Sequence, residues 1–346
     1  MKALVIGATG IIGNHVVRSL LDEGIDVRAF SRGVTSSRNL EGLNVELFKG
    51  DINDSRSVAR AMKGCSWVFH TAPYYPTNTF QRGYHLKMAM AGLENVLKAA
   101  ELNSIDRLVY TSSLTTIGSP RKVGAIRELP LLADESCAYD LKRPPHPYFE
   151  VKFRMEEEVK RRAQMGRPGL GGQPGLGGLP AVIVNPSGCF GPYELKPASL
   201  CLIPQLVNRK LPVFVDHPIN VVDVADVGRG HVLAARKGKI GDRYILGGHN
   251  VTVRWIVETI CKLAGVSPPW IKIPIPLALT TAWISEFLSF YLLKIPPFFP
   301  ILGVRFVQYG EPLDISKAKK ELGYAPSPME ECFVRAIDWF RKIGYC

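Results

Sequence analysis

No Cys-x-x-Cys pair occurs in this 346-residue sequence, and its seven cysteines (Cys65, Cys137, Cys189, Cys201, Cys261, Cys332 and Cys346) are scattered and odd in number. Such usage reads as reduced thiols in a cytoplasmic protein. A long basic run, or a basic patch interleaved with aromatics, is also missing, so nucleic-acid binding is not expected. His70, His146, His217, His231 and His249 do not stand at ligand spacing beside cysteine or carboxylate clusters, so no metal is expected. His146 lies close enough to Tyr148 to be a candidate substrate contact. The first apolar segment, residues 3–6, is too short for the hydrophobic region of a signal peptide, so secretion is not expected.

With 46% hydrophobic residues the chain can bury a substantial core, as one large or two modest domains. Its net charge of +12 suits an anionic cofactor, an acidic substrate or a lipid headgroup surface, and serves solubility equally well. From Ile273 to Val304 the only charges are Glu286 and Lys294, and five prolines interrupt the stretch. Residues 277–295 approach the roughly 20 needed to span a bilayer, but Glu286 would sit near the middle. The expectation is a buried helix and an apolar wall of a substrate site, with peripheral membrane contact through 273–304 as the alternative.

Short apolar runs alternate with amphipathic stretches through the first half, predicting strands at 3–6, 27–30, 45–49, 67–70, 107–111 and 181–185. Helices are expected over 13–23, 55–62 and 90–102. The fold class is therefore α/β, a doubly wound parallel (Rossmann) sheet with a smaller, irregular carboxyl-terminal substrate lobe. Residues 1–186 form the dinucleotide-binding domain, with 220–248 returning to it and 167–179, which carries a duplicated PGLGG, as a flexible insert. Residues 187–346 form mainly the substrate lobe, proline-rich and irregular.

Gly7, Gly10 and Gly13 follow the first strand and open a helix, a spacing that lets backbone amides approach a pyrophosphate. Thr9, Ile11 and Ile12 belong to the same cofactor loop. At the end of the second strand, where an NAD site holds an acidic residue, stand Ser31 and Arg32. A guanidinium there pairs with a 2′-phosphate, so NADP is preferred over NAD, with Arg38 assisting. Asp51 and Ile52 are placed to face the adenine, or Asp51 to cap the next helix.

Tyr148 and Lys152 stand at i and i+4, so on a helix the ammonium approaches the phenol. A nearby positive charge favours the ionised phenol and makes Tyr148 a general acid or base. In LVYTSSLTTIG a strand ends in hydroxyl residues, at the carboxyl edge where such sheets bind ligands. Ser113, Ser112 and Thr111 compete on spacing alone to hold the substrate oxygen.

With GATGIIG, GDIND, YTSSLTTIG and the Tyr148–Lys152 pair in place, the chain resembles the extended short-chain dehydrogenase/reductase family, also called the NAD-dependent epimerase/dehydratase family, over nearly its whole length. NLEGLNVELFKGDIND and RYILGGHN resemble its dihydroflavonol-4-reductase-like and hopanoid-associated sugar epimerase groups. The resemblance selects Ser113 as the catalytic hydroxyl, sets Thr71 and Ala72 along the nicotinamide ribose, and brings Pro186 and Ser187 toward the carboxamide. It implies a homodimer through two helices, one bearing Tyr148, or a monomer. Three departures stand out. Ala89, Gly92 and Leu93 replace a motif that begins with asparagine, the PGLGG insert is longer than in relatives, and Asp216 to Ile219 stand where sugar epimerases carry a phosphate-holding arginine. The expected function is an NADP-dependent reductase or dehydrogenase acting on a ketone or secondary alcohol of a moderately apolar small molecule. The alternatives are an NAD-dependent nucleotide-sugar epimerase and a non-catalytic dinucleotide-sensing regulator.

Overall fold

Strand β1 (Lys2–Ile6) is apolar from Ala3 onward and buried on both faces, as a central strand of a parallel sheet must be. A computed structural model describes residues 1–33, 38–72, 74–76, 78–120, 132–140, 145–165, 178–194, 201–295, 297 and 299–346. Helix α1 (Ile11–Asp22) follows, then β2 (Asp26–Ser31), β3 (Val45–Lys49), α2 (Ser55–Met62), β4 (Trp67–His70), α3 (Arg82–Leu102), β5 (Arg107–Thr111), α4 (Pro147–Gln164) and β6 (Ala181–Pro186). After β7 (Gly188–Phe190), α5 (Leu202–Val207), β8 (Val213–Phe214), β9 (Pro218–Asp223) and α6 (Val224–Lys237), strand β10 (Arg243–Leu246) returns to the main sheet. Its seven strands run in the order β10-β6-β5-β4-β1-β2-β3, and every pairing is parallel.

The strand order reverses between β1 and β4, and at such a switch point the loops leave in opposite directions and open a crevice. Register brings Ile6 beside His70, His70 beside Tyr110, and Thr111 beside Val184. Residues following β1, β4, β5 and β6 therefore meet along one edge. Two apolar layers cover the faces, one built on α1 and α6 and the other on α2, α3 and α4.

The second region holds β11 (His249–Thr252), α7 (Val253–Ala264), β12 (Ile271–Lys272), α8 (Ile275–Phe287), α9 (Ile301–Gln308) and α10 (Met329–Lys342), with two small sheets. It is more helical than its proline content predicts. The prolines sit where a helix can take them: Pro274, Pro300 and Pro328 are N-caps and Pro276 lies in the first turn of α8, positions whose missing amide has no intrahelical partner anyway. The PGLGG insert falls outside the described residues except for Gly178 and Leu179.

Candidate active site

Two glycines shape the turn between β1 and α1. Gly7 has φ +91°, and a side chain there would meet the Ala72 backbone nitrogen at 2.7 Å. At Gly13 a Cβ would lie 2.1 Å from the Gly7 carbonyl oxygen. Gly10, the N-cap of α1, brings no capping side chain, and no acidic residue occupies the first turn. The amides of Ile11 and Ile12 are thus left for an anion rather than a side chain. Thr9 lies in the turn itself, where its carbonyl accepts from Asn39 Nδ2 at 3.0 Å. Thr71 donates to the Ile6 carbonyl at 3.0 Å, and Ala72 closes against Gly7.

Ser31 ends β2 half-buried, while Arg32 and Arg38 are exposed beside it. The cap of α2 is Asp54, not Asp51. Asp51 instead accepts from the backbone and side chain of Asn53 at 2.9 and 3.0 Å, and Asn95 holds the Ile52 carbonyl at 2.9 Å. Pro186 and Ser187 leave β6 into the same crevice, and Ser187 Oγ is buried with no protein partner. A tight glycine cradle, free helix amides and an orphaned hydroxyl fit a dinucleotide laid along this edge.

The three hydroxyls after β5 are not equivalent. His231 directs Nδ1 to the Val227 carbonyl at 2.7 Å, so Nε2 is left as acceptor and takes the Thr111 hydroxyl at 2.8 Å. Ser112 donates to Glu156 at 2.5 Å. Ser113 Oγ accepts from the Thr115 amide at 3.2 Å, which leaves its hydrogen to donate, and it bonds the Tyr148 hydroxyl. Geometry therefore brings Ser113 alone of the three to the tyrosine.

Helix α4 presents Tyr148, Lys152 and Glu156 on one buried face. Lys152 Nζ donates to the Thr111 carbonyl at 2.9 Å, and its pKa is lowered to about 8 by burial, with Glu156 opposing. Burial also raises the Tyr148 phenol well above its usual value, with Tyr75 adding to the rise and the Ser113 hydrogen bond opposing it. Spacing alone predicts that Lys152 lowers the phenol; in the chain by itself its ammonium is turned to the Thr111 carbonyl, and burial sets the direction of the shift. Tyr75 stacks on Tyr148 with centroids 5.2 Å apart and planes 11° apart. His146 is the N-cap of α4, accepting from the Tyr148 amide at 3.1 Å, and it does not line the cavity.

Glu156, Asn39 and Tyr75 escape a reading by motif. Glu156 accepts from Ser112, Thr116 at 2.6 Å and Asn185 at 2.9 Å, and pairs with Lys160 and Arg243 at 2.9 and 3.1 Å. Its one available signal is position, a second i+4 step beyond Lys152. Asn39 ties the Thr9 carbonyl to the Tyr193 carbonyl at 3.1 Å, and nothing in its local sequence marks it.

A cavity of about 430 Å³ runs from Ile11 and Ile12 past Ser113, Tyr148 and Lys152 into the second region. Its far wall is apolar, with Ile273, Phe299, Pro300, Val304 and Val307 among the residues lining it. The apolar stretch thus does form a wall. The buried helix expected beside it is not found, because α8 continues through Leu293 with its large side chains exposed. Among the described residues no group of three or more His, Cys, Asp or Glu could hold a metal.

The family model of the NAD dependent epimerase/dehydratase family matches residues 3–247. A Synechocystis sp. protein provisionally named dihydroflavonol 4-reductase is 33% identical, covering 99% of this chain and 95% of that protein. A Methylococcus capsulatus protein named sterol demethylase protein B is 29% identical over 99% of both. The crystal structure of a nucleoside-diphosphate-sugar epimerase from Pseudomonas aeruginosa has a TM-score of 0.78 at 25% identity, covering 100% of this chain and 99% of that one. By its sheet, its glycine cradle and this match over most of its length, the chain belongs to the NAD-dependent epimerase/dehydratase family, the extended branch of the short-chain dehydrogenases/reductases.

Proposed function

We propose that this NAD(P)-dependent oxidoreductase uses NADP to interconvert a ketone and a secondary alcohol on a moderately apolar small molecule. The observation that carries the reading is the continuous cavity, which joins the Ser113–Tyr148–Lys152 group to an apolar wall. The dinucleotide, when bound, supplies or accepts the hydride. Tyr148, held protonated by burial, donates a proton to the carbonyl oxygen as it gains charge, and Ser113 holds that oxygen. Lys152 offsets the negative charge left on the phenol. Gly7, Gly10 and Gly13 with Thr9, Ile11 and Ile12 would carry the pyrophosphate, and Thr71, Ala72, Pro186 and Ser187 the nicotinamide half. Asp51 and Ile52 would flank the adenine.

NADP is favoured because Arg32 and Arg38 stand exposed past β2 where no carboxylate competes. The words sterol and dihydroflavonol in the relatives' names agree with an apolar substrate. The likeness to a nucleoside-diphosphate-sugar epimerase keeps an NAD-dependent epimerase as the second reading. Against it, Asp216 places a carboxylate near the substrate lobe and binds Lys272 at 3.3 Å and the Arg254 amide at 3.1 Å. We further infer a cytoplasmic protein, a homodimer through two helices that include α4, or a monomer.

Purified protein titrated with NADPH and NADH, then offered apolar ketones, tests the reading. NADPH should bind at least about ten-fold more tightly than NADH, and Arg32→Ala should erase that preference by weakening NADPH alone. Tyr148→Phe should keep NADPH binding and lose turnover by about 10²–10⁴-fold. Tightly retained NAD with no net NADPH consumption would establish the epimerase instead. Turnover absent in the parent chain, with cofactor binding intact, would point to the regulator.

A further inference from the structure

A helix on a protein surface buries its large apolar residues and shows its polar ones to water. The helix running from α8 through Leu293 does the reverse. Its inner face carries Ala278 and Ala282, packed on Val215, Ile301 and Val304, together with Glu286 and Ser289. Glu286, the only acidic residue between 273 and 310, is turned inward and accepts from the Thr79 amide at 2.6 Å. Its outer face carries Leu277, Trp283, Ile284, Leu288, Tyr291 and Leu292, which are 38–67% exposed. Leaving side chains of this size in water forfeits the gain that covering them would bring.

We propose that this face docks on the surface of a lipid bilayer. Three observations select lipid as the occupant. The helix exposes no carboxylate, since its one acidic residue, Glu286, is buried, and it ends at Lys294, so an anionic leaflet meets cationic charge from this end and from a chain of net charge +12. Trp283 and Tyr291 flank Phe287, with centroids 5.4 and 4.8 Å from it, an aromatic group of the kind that settles at the headgroup level. The inner face is packed on the protein body, so the helix lies along the interface and does not cross the bilayer.

Docking also deepens the proposed function and, in this part, rests on it. Helix α9 packs against α8 and lines the cavity with Gly303, Val304 and Val307. One helical layer therefore separates the lipid-facing surface from the cavity wall, a short path for a substrate dissolved in the membrane.

Flotation of the full chain with phosphatidylcholine vesicles, with and without phosphatidylglycerol, tests docking without any reference to catalysis. The parent chain should float with vesicles, more strongly with the anionic lipid. Ile284→Glu combined with Leu292→Glu should lower the partition by about 100-fold, with the circular dichroism spectrum and NADPH binding unchanged. Trp283 fluorescence should shift to the blue on vesicle addition in the parent and be quenched by brominated acyl chains. A parent chain that stays in the soluble fraction at every lipid composition overturns the proposal. So does a lipid-free dimer, measured by light scattering, that the double variant dissociates, for the face is then a subunit contact. Vesicle binding without turnover of any apolar ketone would leave docking standing and remove the substrate reading.

Discussion

Lys152 carries a proton that burial makes easy to lose, since its pKa is lowered to about 8 while Thr111 supplies a single carbonyl. The proposed reduction requires Tyr148 protonated and Lys152 charged. The phenol, raised by desolvation, satisfies its condition throughout the neutral range, so the lysine sets the alkaline limit. The expected kcat/KM for reduction is level below neutrality and falls as pH rises through about 8. Lys152→Arg should move that limb upward at reduced rate, because a guanidinium keeps its charge. A flat profile to pH 10 in the parent enzyme would remove Lys152 from this role.

Helix α4 is the element on which the site depends, and Glu156 fastens it to the sheet. Its carboxylate joins the loop after β5 through Ser112 and Thr116, β6 through Asn185 and β10 through Arg243. Lys160, Arg243 and the hydroxyls hold its pKa below the ordinary 4.5 against the opposing effect of burial. A carboxylate held down in the fold stabilises it fully above the unfolded value, and that stabilisation drains away as pH falls through the folded value. Glu156→Ala should cost about 3–5 kcal/mol, since the buried face of Arg243 and three polar side chains lose their acceptor. Thermal unfolding measures this, and the destabilisation should shrink toward pH 4. An unchanged midpoint at pH 7 would show that the network is dispensable.

For the whole molecule, a dinucleotide laid across the carboxyl edge of the sheet as proposed would touch loops after β1, β2, β3, β4, β5 and β6 and so stabilise the folded chain. NADPH at about 100 times its Kd should add about 2.7 kcal/mol, read as a raised Tm. Gly13→Ala, which drives a methyl group into the Gly7 carbonyl, should abolish the rise. A shift that persists undiminished in that variant would place the cofactor elsewhere.

Strand positions were legible because each strand of the main sheet is a short apolar run bounded by turns, and buried parallel strands need little else. β3, β4 and β5 lie where the pattern placed them. The glycine loop and the Tyr148–Lys152 spacing were legible for a similar reason: each is a local arrangement, written in consecutive residues. What the chain order could not express are choices between near-equivalent groups and between inside and outside. Ser113 is singled out because His231 and Glu156, 118 and 43 residues away, occupy its two neighbours' hydroxyls, a distinction that exists only when distant segments meet. The prolines of the second region concealed helices because a proline's effect depends on whether it falls in the first turn. An apolar stretch reads alike whether the fold buries it or leaves it exposed, and the tertiary structure decided here by packing the small side chains of α8 inward and leaving the large ones exposed.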